Sequence, residues 1–345
     1  MKNKTIYIKR ILAFLPIISL MACESSEERK DRFFKQGNQA LAYRNYEEAI
    51  RLFDQSIKED PLYAQALNNR GVAKMELGHT YEAILDYNKA ITSNKNYIDA
   101  LFNRAYAYEE VGQFKNALDD VNEIKKLKPD SSFVYFYQAL VLTKLKEYDE
   151  AFESLKRSDE LNPLNPETIV NMATIHYFRN EMDDATTKVE EAIKLQPQNA
   201  SAFNLLSLIA LEKSDFRNAL NEINRALDKE PGEPYFLNNR GFIYLKMDSL
   251  ELALEDINRS IVLDPNNGWA YRNKGIYQLK NENIPEAIFL FKRALKTGDF
   301  IDEIYYYLGL AYKKNGDLKQ ACNLWKKGSE ENETESKGML AQNCD

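Results

Sequence analysis

Residues 234–267 read PYFLNNRGFIYLKMDSLELALEDINRSIVLDPNN, and this stretch decides how the chain folds. Apolar residues recur in it at helical spacing in two runs, parted by Met247-Asp248-Ser249. Asp264-Pro265 closes it: proline has no amide hydrogen and disfavours helix in the residue before it, so the second run must stop there. The spacing predicts two short amphipathic helices joined by a tight turn. With Pro234 as position 1, steps of 34 residues without insertion carry position 20 through Ala49, Ala83, Ala117, Ala151, Ala185, Ala219, Ala253, Ala287 and Ala321. Alanine in every copy from Lys30 to about Glu335 means that the unit is written nine times.

The conserved spacing has a packing reason. Position 8 is always Gly, Ala or Ser, for example Gly71, Ala105, Ser207 and Gly241. Small residues at 8 and 20 let the two helices of a unit approach closely, and a small residue at 27 lets the second helix meet the next unit. Large apolar residues are expected to fill the space at positions 4, 7, 11, 17 and 24. One unit cannot bury its own apolar faces, so neighbours must stack. The period and the small positions resemble the tetratricopeptide repeat. That resemblance implies an all-α solenoid, a right-handed superhelix of about one full turn. Its helices would run at positions 2–14 and 18–31, with the first helices lining the concave side. The expected organisation is a leader over 1–22, a polar tether over 23–29, nine repeats over 30–335, and a short cap over 336–345 that covers the last apolar face.

The leader is basic at Lys2, Lys4, Lys9 and Arg10 and then apolar from Ile11 to Met21, too short to span a bilayer as a stable helix. It ends in Leu20-Met21-Ala22-Cys23, which resembles the lipobox of bacterial lipoproteins. The resemblance implies cleavage before Cys23 and acylation of it. The acidic run after Cys23 is similar to the surface-export signal of Bacteroidetes lipoproteins, and a plain solvated linker fits it as well. An outer-membrane location is the expectation, with the facing side open. Cys322 and Cys344 remain, and an exported compartment permits a bridge between them; two buried or free thiols are the other arrangement.

The chain has a net charge of −7, and its cations are not clustered outside the leader. Nucleic acid is therefore a poor partner, because phosphate neutralisation needs grouped Lys and Arg. Only two histidines occur, His79 and His176, both read as packing residues. No metal-ligand spacing, glycine-rich phosphate loop or nucleophile elbow is present, so neither a metal, a cofactor nor an enzymatic activity is expected.

Binding has more to work with. In the repeat family, ligands touch first-helix positions 2, 5, 6, 9, 12 and 13. Position 6 here holds Asn69, Asn103, Asn171, Asn239 and Asn273, and an amide can both donate to and accept from a peptide main chain. The pattern looks like the asparagine ladder in the repeat domain of protein O-GlcNAc transferases. Aromatics stand at the other groove positions: Phe34, Phe102, Tyr106, Phe133, Phe136, Tyr177, Phe178, Tyr235, Phe242, Trp269 and Tyr306. Trp269, with Tyr235 one repeat earlier, is the leading anchor, and Asn238, Asn239 and Phe242 complete the set in the seventh repeat. The cation clamp that other family members use on acidic chain termini is missing here. The expected function is a membrane-anchored, non-catalytic scaffold that holds protein segments in its groove. Aromatics with asparagines also suit sugars, so glycan or peptidoglycan binding is the alternative.

Overall fold

The computed structural model describes residues 24–297 and 301–344; Cys23 lies outside them. It contains α1 (Ser26–Ala42) and α2 (Tyr46–Glu59), α3 (Ala64–Glu76) and α4 (Thr80–Ser93), α5 (Ile98–Glu110) and α6 (Phe114–Leu127), α7 (Ser132–Lys144) and α8 (Tyr148–Leu161), α9 (Pro166–Phe178) and α10 (Met182–Leu195), α11 (Ala200–Glu212) and α12 (Phe216–Lys229), α13 (Pro234–Lys246) and α14 (Leu250–Leu263), α15 (Gly268–Lys280) and α16 (Ile284–Leu295), α17 (Ile304–Lys314) and α18 (Leu318–Glu330), and finally α19 (Thr334–Asn343). Each repeat is one consecutive pair. Among the described residues there is no strand.

All nine position-20 alanines are fully buried. Position 8 faces position 24 of its own repeat, and the two exchange volume. Glycine stands at 8 where an aromatic fills 24, as in Gly37/Phe53, Gly71/Tyr87, Gly275/Phe291 and Gly309/Trp325. Alanine stands there opposite an aliphatic residue, as in Ala105/Val121, Ala139/Leu155 and Ala173/Val189, all six side chains being buried. In these seven layers a larger residue at one position accompanies a smaller one at the other; the seventh repeat, with Gly241 opposite Ile257, departs from the exchange.

Each first helix ends the same way. Position 15 has positive φ in every repeat, from Arg44 at 57° to Gly316 at 85°. The amide of position 16 then bonds the carbonyl of position 11, as His79 does with Lys74 and Ser249 with Tyr244. This is a left-handed helix stop that satisfies carbonyls otherwise left without a partner. Glycine occupies it in only three repeats, Gly78, Gly112 and Gly316. The conformation at position 31 is likewise independent of the following proline. Asn94, before Lys95, has φ −139° and ψ 98°, and Asp60, before Pro61, has φ −139° and ψ 97°. Stacking of the next repeat sets the angle, and proline only agrees with it.

Position 7 departs from the expected apolar filler. Arg70, Arg104 and Arg240 occupy it and make paired bonds to buried Asp86, Asp120 and Asp256 at position 23. Each also donates to position 25 of the preceding repeat: Asp54, Asn88 and Asn224. The fourth repeat runs a neutral version, with Gln138 bonding Asn122 at 2.8 Å and Ser154 at 3.2 Å. The site sits at the junction of three helices, where a long forked side chain can satisfy groups on two repeats. Burial still pushes the Asp120 carboxyl up, with the Arg104 bond opposing it. On the Asp120 side, desolvation thus outweighs the attraction of Arg104.

The ends differ from the expected boundaries. α1 starts at Ser26 rather than Lys30, because Ser25 and Glu28 form a reciprocal cap and Ser26 and Arg29 both bond Glu59. At the other end, α19 takes the place that a tenth first helix would occupy. Glu333 accepts the amides of Tyr305 and Tyr306 at 3.1 and 3.0 Å, so the cap segment also caps α17. A disulfide joins Cys322 to Cys344. Closing a loop of that size contributes about 3 kcal/mol, which holds in place a helix too short to stand alone.

Candidate functional site

The inner face is built by the first helices, which touch their counterparts in neighbouring repeats along much of the array: α1 meets α3, α3 meets α5, and α9 to α17 meet in succession. The expected single turn is tighter than nine repeats. Lys146, in the turn of the fourth repeat, comes within 4.0 Å of Glu331 at the end of α18. Asp302 in turn acts on the hydroxyls of Tyr148 and Tyr177. The turn of repeat four, with Tyr177 of repeat five, thus lies close to repeat nine.

The asparagines of this face do not stand open in it. They form two chains of amide–amide hydrogen bonds that tie first helices together. Asn103 donates to Asn68 at 2.9 Å, Asn68 to Asn69 at 3.0 Å, and Asn69 to Asn38 at 2.7 Å. In the later repeats Asn273 donates to Asn238 at 2.8 Å, Asn238 to Asn239 at 3.4 Å, and Asn239 to Asn204 at 2.8 Å. Asn238 and Asn273 are buried, 2% and 0% exposed. This corrects the expectation that they grip a ligand. Position 6 faces position 5 of the preceding repeat across the seam, or position 9 in the case of Asn38, so a polar residue there meets its neighbour's amide before it meets solvent. Asn69, Asn103 and Asn239 are half-buried with their NH2 groups turned into the seam. Asn171 is different: it donates to the Glu167 carbonyl of its own helix at 2.9 Å. It lines a concavity of about 290 Å³ with Phe136, Leu140 and Val170.

The aromatics divide as well. Phe34 packs on Phe53 and Tyr63, and Phe136 packs on the core of the fourth and fifth repeats. Trp269 and Phe242 are half-buried against the Arg272 guanidinium, 4.9 and 4.6 Å from it. Arg272 was not legible as a functional residue. It is 3% exposed, donates to Asn273 and to the Asp302 carbonyl, and fills the space between Trp269 and Phe242. The leading anchor of the sequence reading is thus part of a packed cation–aromatic stack. Tyr106, Phe133, Phe178 and Tyr235 remain 53, 59, 45 and 43% exposed. Glu109 and Glu110 lie beside Tyr137 and Tyr106, and nothing in the sequence singles them out. Tyr137 donates to Glu109 at 3.0 Å, and burial pushes that carboxyl up despite the bond. His176, placed on packing grounds, has its ring 4.9 Å from that of Phe152 and its Nδ1 2.6 Å from Glu181.

Comparison with known proteins agrees with this architecture. Tetratricopeptide repeat models match residues 34–98, 207–268 and 303–327, and a model of the Psidin N-terminal TPR repeats region matches 103–209. Among solved structures, the APC/C hetero-tetramer Cut9–Hcn1 aligns over 94% of this chain and 71% of its own at 14% identity and a TM-score of 0.60. A tetratricopeptide repeat protein from Parabacteroides merdae aligns over 82% of this chain and 99% of its own at 18% identity and 0.54. Pseudomonas aeruginosa pilF aligns over 65% and 98% at 22% and 0.50. Likenesses at such identities speak to the fold. A search of curated proteins gave no match. The chain is a tetratricopeptide repeat protein. That fold suggests a scaffold for protein–protein interaction.

Proposed function

We propose that this chain is a non-catalytic scaffold that holds partner proteins along its inner face, tethered to a bacterial membrane of the cell envelope through acylated Cys23. The observation that carries the groove reading is the exposure of Tyr106, Phe133 and Phe178 at first-helix positions that stacking leaves unused. Large aromatics left in water on a concave surface are the usual anchors of recognition. The Cut9–Hcn1 structure is a hetero-tetramer, so a chain of this fold works inside a protein assembly there, which supports the same kind of role here. Support for the tether is the pattern at Leu20–Cys23 and the start of folded structure at Ser26, close after it. Acyl chains contribute about 0.8 kcal/mol per buried methylene, so more than one makes a firm anchor.

A photo-crosslinking residue at position 133, in the native host, is expected to trap a partner. The same residue at position 289, on the outer face of α16 where Phe289 is exposed, should not. Capture from 289 alone would refute the groove reading. Cys23→Ala is expected to release the protein from membranes, and retention would refute the anchor.

A further inference from the structure

Between the two asparagine chains the inner face changes character. Among the described residues no hydrogen bond between side-chain amides joins α5 to α7. Phe102 and Tyr137 meet instead at the seam, at positions 5 and 6, with ring centroids 5.9 Å apart. Phe133 lies 5.6 Å from Phe102 and 6.2 Å from Tyr137, nearly parallel to the latter. These three rings form an aromatic floor, continued by Tyr106 one helical turn beyond Phe102 on α5, and more than half exposed at Phe133 and Tyr106. Its border is negative. Glu109 receives the Tyr137 hydroxyl, and Glu110 lies near enough to the Tyr106 hydroxyl to disfavour its ionisation, after burial. Among the described residues neither carboxylate has a Lys or Arg within ion-pair distance, and no cation stacks on these four rings. Lys144 acts on Glu109 only from farther away.

We infer that this floor, in repeats three and four, seats an Arg or Lys side chain of the bound segment, so that the partner is basic at this point. The inference rests on the groove reading above and names its chemistry. A cation above an aromatic face is attracted by the ring's negative centre, and a carboxylate at the rim adds directional acceptors for its N–H groups. An acidic partner would meet two carboxylates that have no cation within ion-pair distance among the described residues. Elsewhere on the inner face the corresponding demand is already met inside the molecule: Arg272 sits on Phe242 and Trp269. In repeats three and four the aromatic half of that arrangement is present and the cation is missing. Burial also holds the Glu109 carboxyl above its ordinary range, a cost that an incoming cation would relieve.

The test is fluorescence anisotropy on the full chain in detergent with three labelled peptides. One alternates Arg and Leu, one citrulline and Leu, and one Glu and Leu. The Arg peptide is expected to bind at least about tenfold tighter than the citrulline peptide, which has its shape without its charge, and tighter still than the Glu peptide. The double variant Glu109→Gln, Glu110→Gln should erase most of that difference. Phe133→Ala should weaken the Arg peptide about tenfold, with the circular dichroism unchanged. Equal binding of Arg and citrulline peptides overturns the assignment, as does an Arg affinity unmoved by both sets of changes. If Phe133→Ala still weakens all three peptides alike, the groove reading survives and the charge assignment alone falls. If no peptide binds and position 133 traps no partner, both fall.

Discussion

Gly275 is the sharpest place to perturb the architecture. A Cβ built on it would lie 2.5 Å from Phe291 Cε1, 2.7 Å from Cδ1 and 3.0 Å from Cζ. Phe291 is fully buried in the cluster that joins repeats seven to nine, so its ring has nowhere to retreat. Two effects oppose each other in Gly275→Ala. Helix propensity favours alanine by about 1 kcal/mol. Overpacking a tight core costs about 1–3 kcal/mol. At 2.5 Å the clash lies at the upper end, so a net loss of about 1–2 kcal/mol is expected. Phe291→Val alone leaves a cavity and should cost about 2–4 kcal/mol. The pair together recreates Ala105/Val121 and Ala173/Val189, combinations this chain already uses, and should couple favourably by about 1–2 kcal/mol. In a stack each repeat touches only its neighbours, so a global melt can hide a local loss. The assay is therefore amide hydrogen exchange over α15 and α16 beside urea unfolding. A Gly275→Ala protein as well protected as the parent, or a double variant no better than the sum of the singles, would refute the volume-exchange argument.

Three further outcomes follow from the seams. Asn273→Ala removes a buried amide and strands the Asn238 and Arg272 groups that bond it, so stability should fall by about 1–3 kcal/mol, measured in urea; an unchanged midpoint with reduced partner binding would restore Asn273 to the ligand site. Arg104→Ala leaves Asp120 buried and uncompensated at a cost of about 3–5 kcal/mol, whereas Arg104→Gln with Asp120→Ser copies the neutral fourth repeat and should come within about 1 kcal/mol of the parent. Glu109→Gln keeps an acceptor for Tyr137 and removes a carboxyl whose folded pKa is raised by burial; the folded form holds that proton where the unfolded chain has lost it, so the parent loses stability as pH rises through the folded value. The variant should melt higher than the parent at pH 7 and show no advantage near pH 4; an equal advantage at both would refute the burial argument.

The corrections to the groove share one physical origin. A period-34 pattern says which side of a helix a residue occupies, and Asn239 and Asn273 do lie on the inner side. It does not say how far apart neighbouring first helices stand there. That distance decides whether an amide meets a neighbour or a ligand, as the contrast between buried Asn273 and Asn171, bonded only within its own helix, makes plain. The same holds for Trp269: the side chain that covers it, Arg272, comes from one helical turn along and is unremarkable in sequence. Glu109 and Glu110 were invisible for the opposite reason, since charges on a helix are normally solvated and only the aromatic seam beside them gives them significance.

What the amino-acid sequence alone determined is everything that repeats. Alanine at position 20, a small residue at 8, and the 34-residue period specify helix pairs that cannot be stable apart and must stack, because those are consequences of local spacing and side-chain volume. The left-handed stop at position 15 follows from that stacking even where Arg44 or Glu282 has no glycine to ease it. What only the tertiary structure decided is everything that differs between copies. The pairing of Arg104 with Asp120, the two asparagine chains, the approach of Lys146 to Glu331 and the open aromatic floor of repeats three and four each depend on distances between residues in different helices or repeats. Such distances accumulate from small rotations at every seam, and no single position in the chain encodes them.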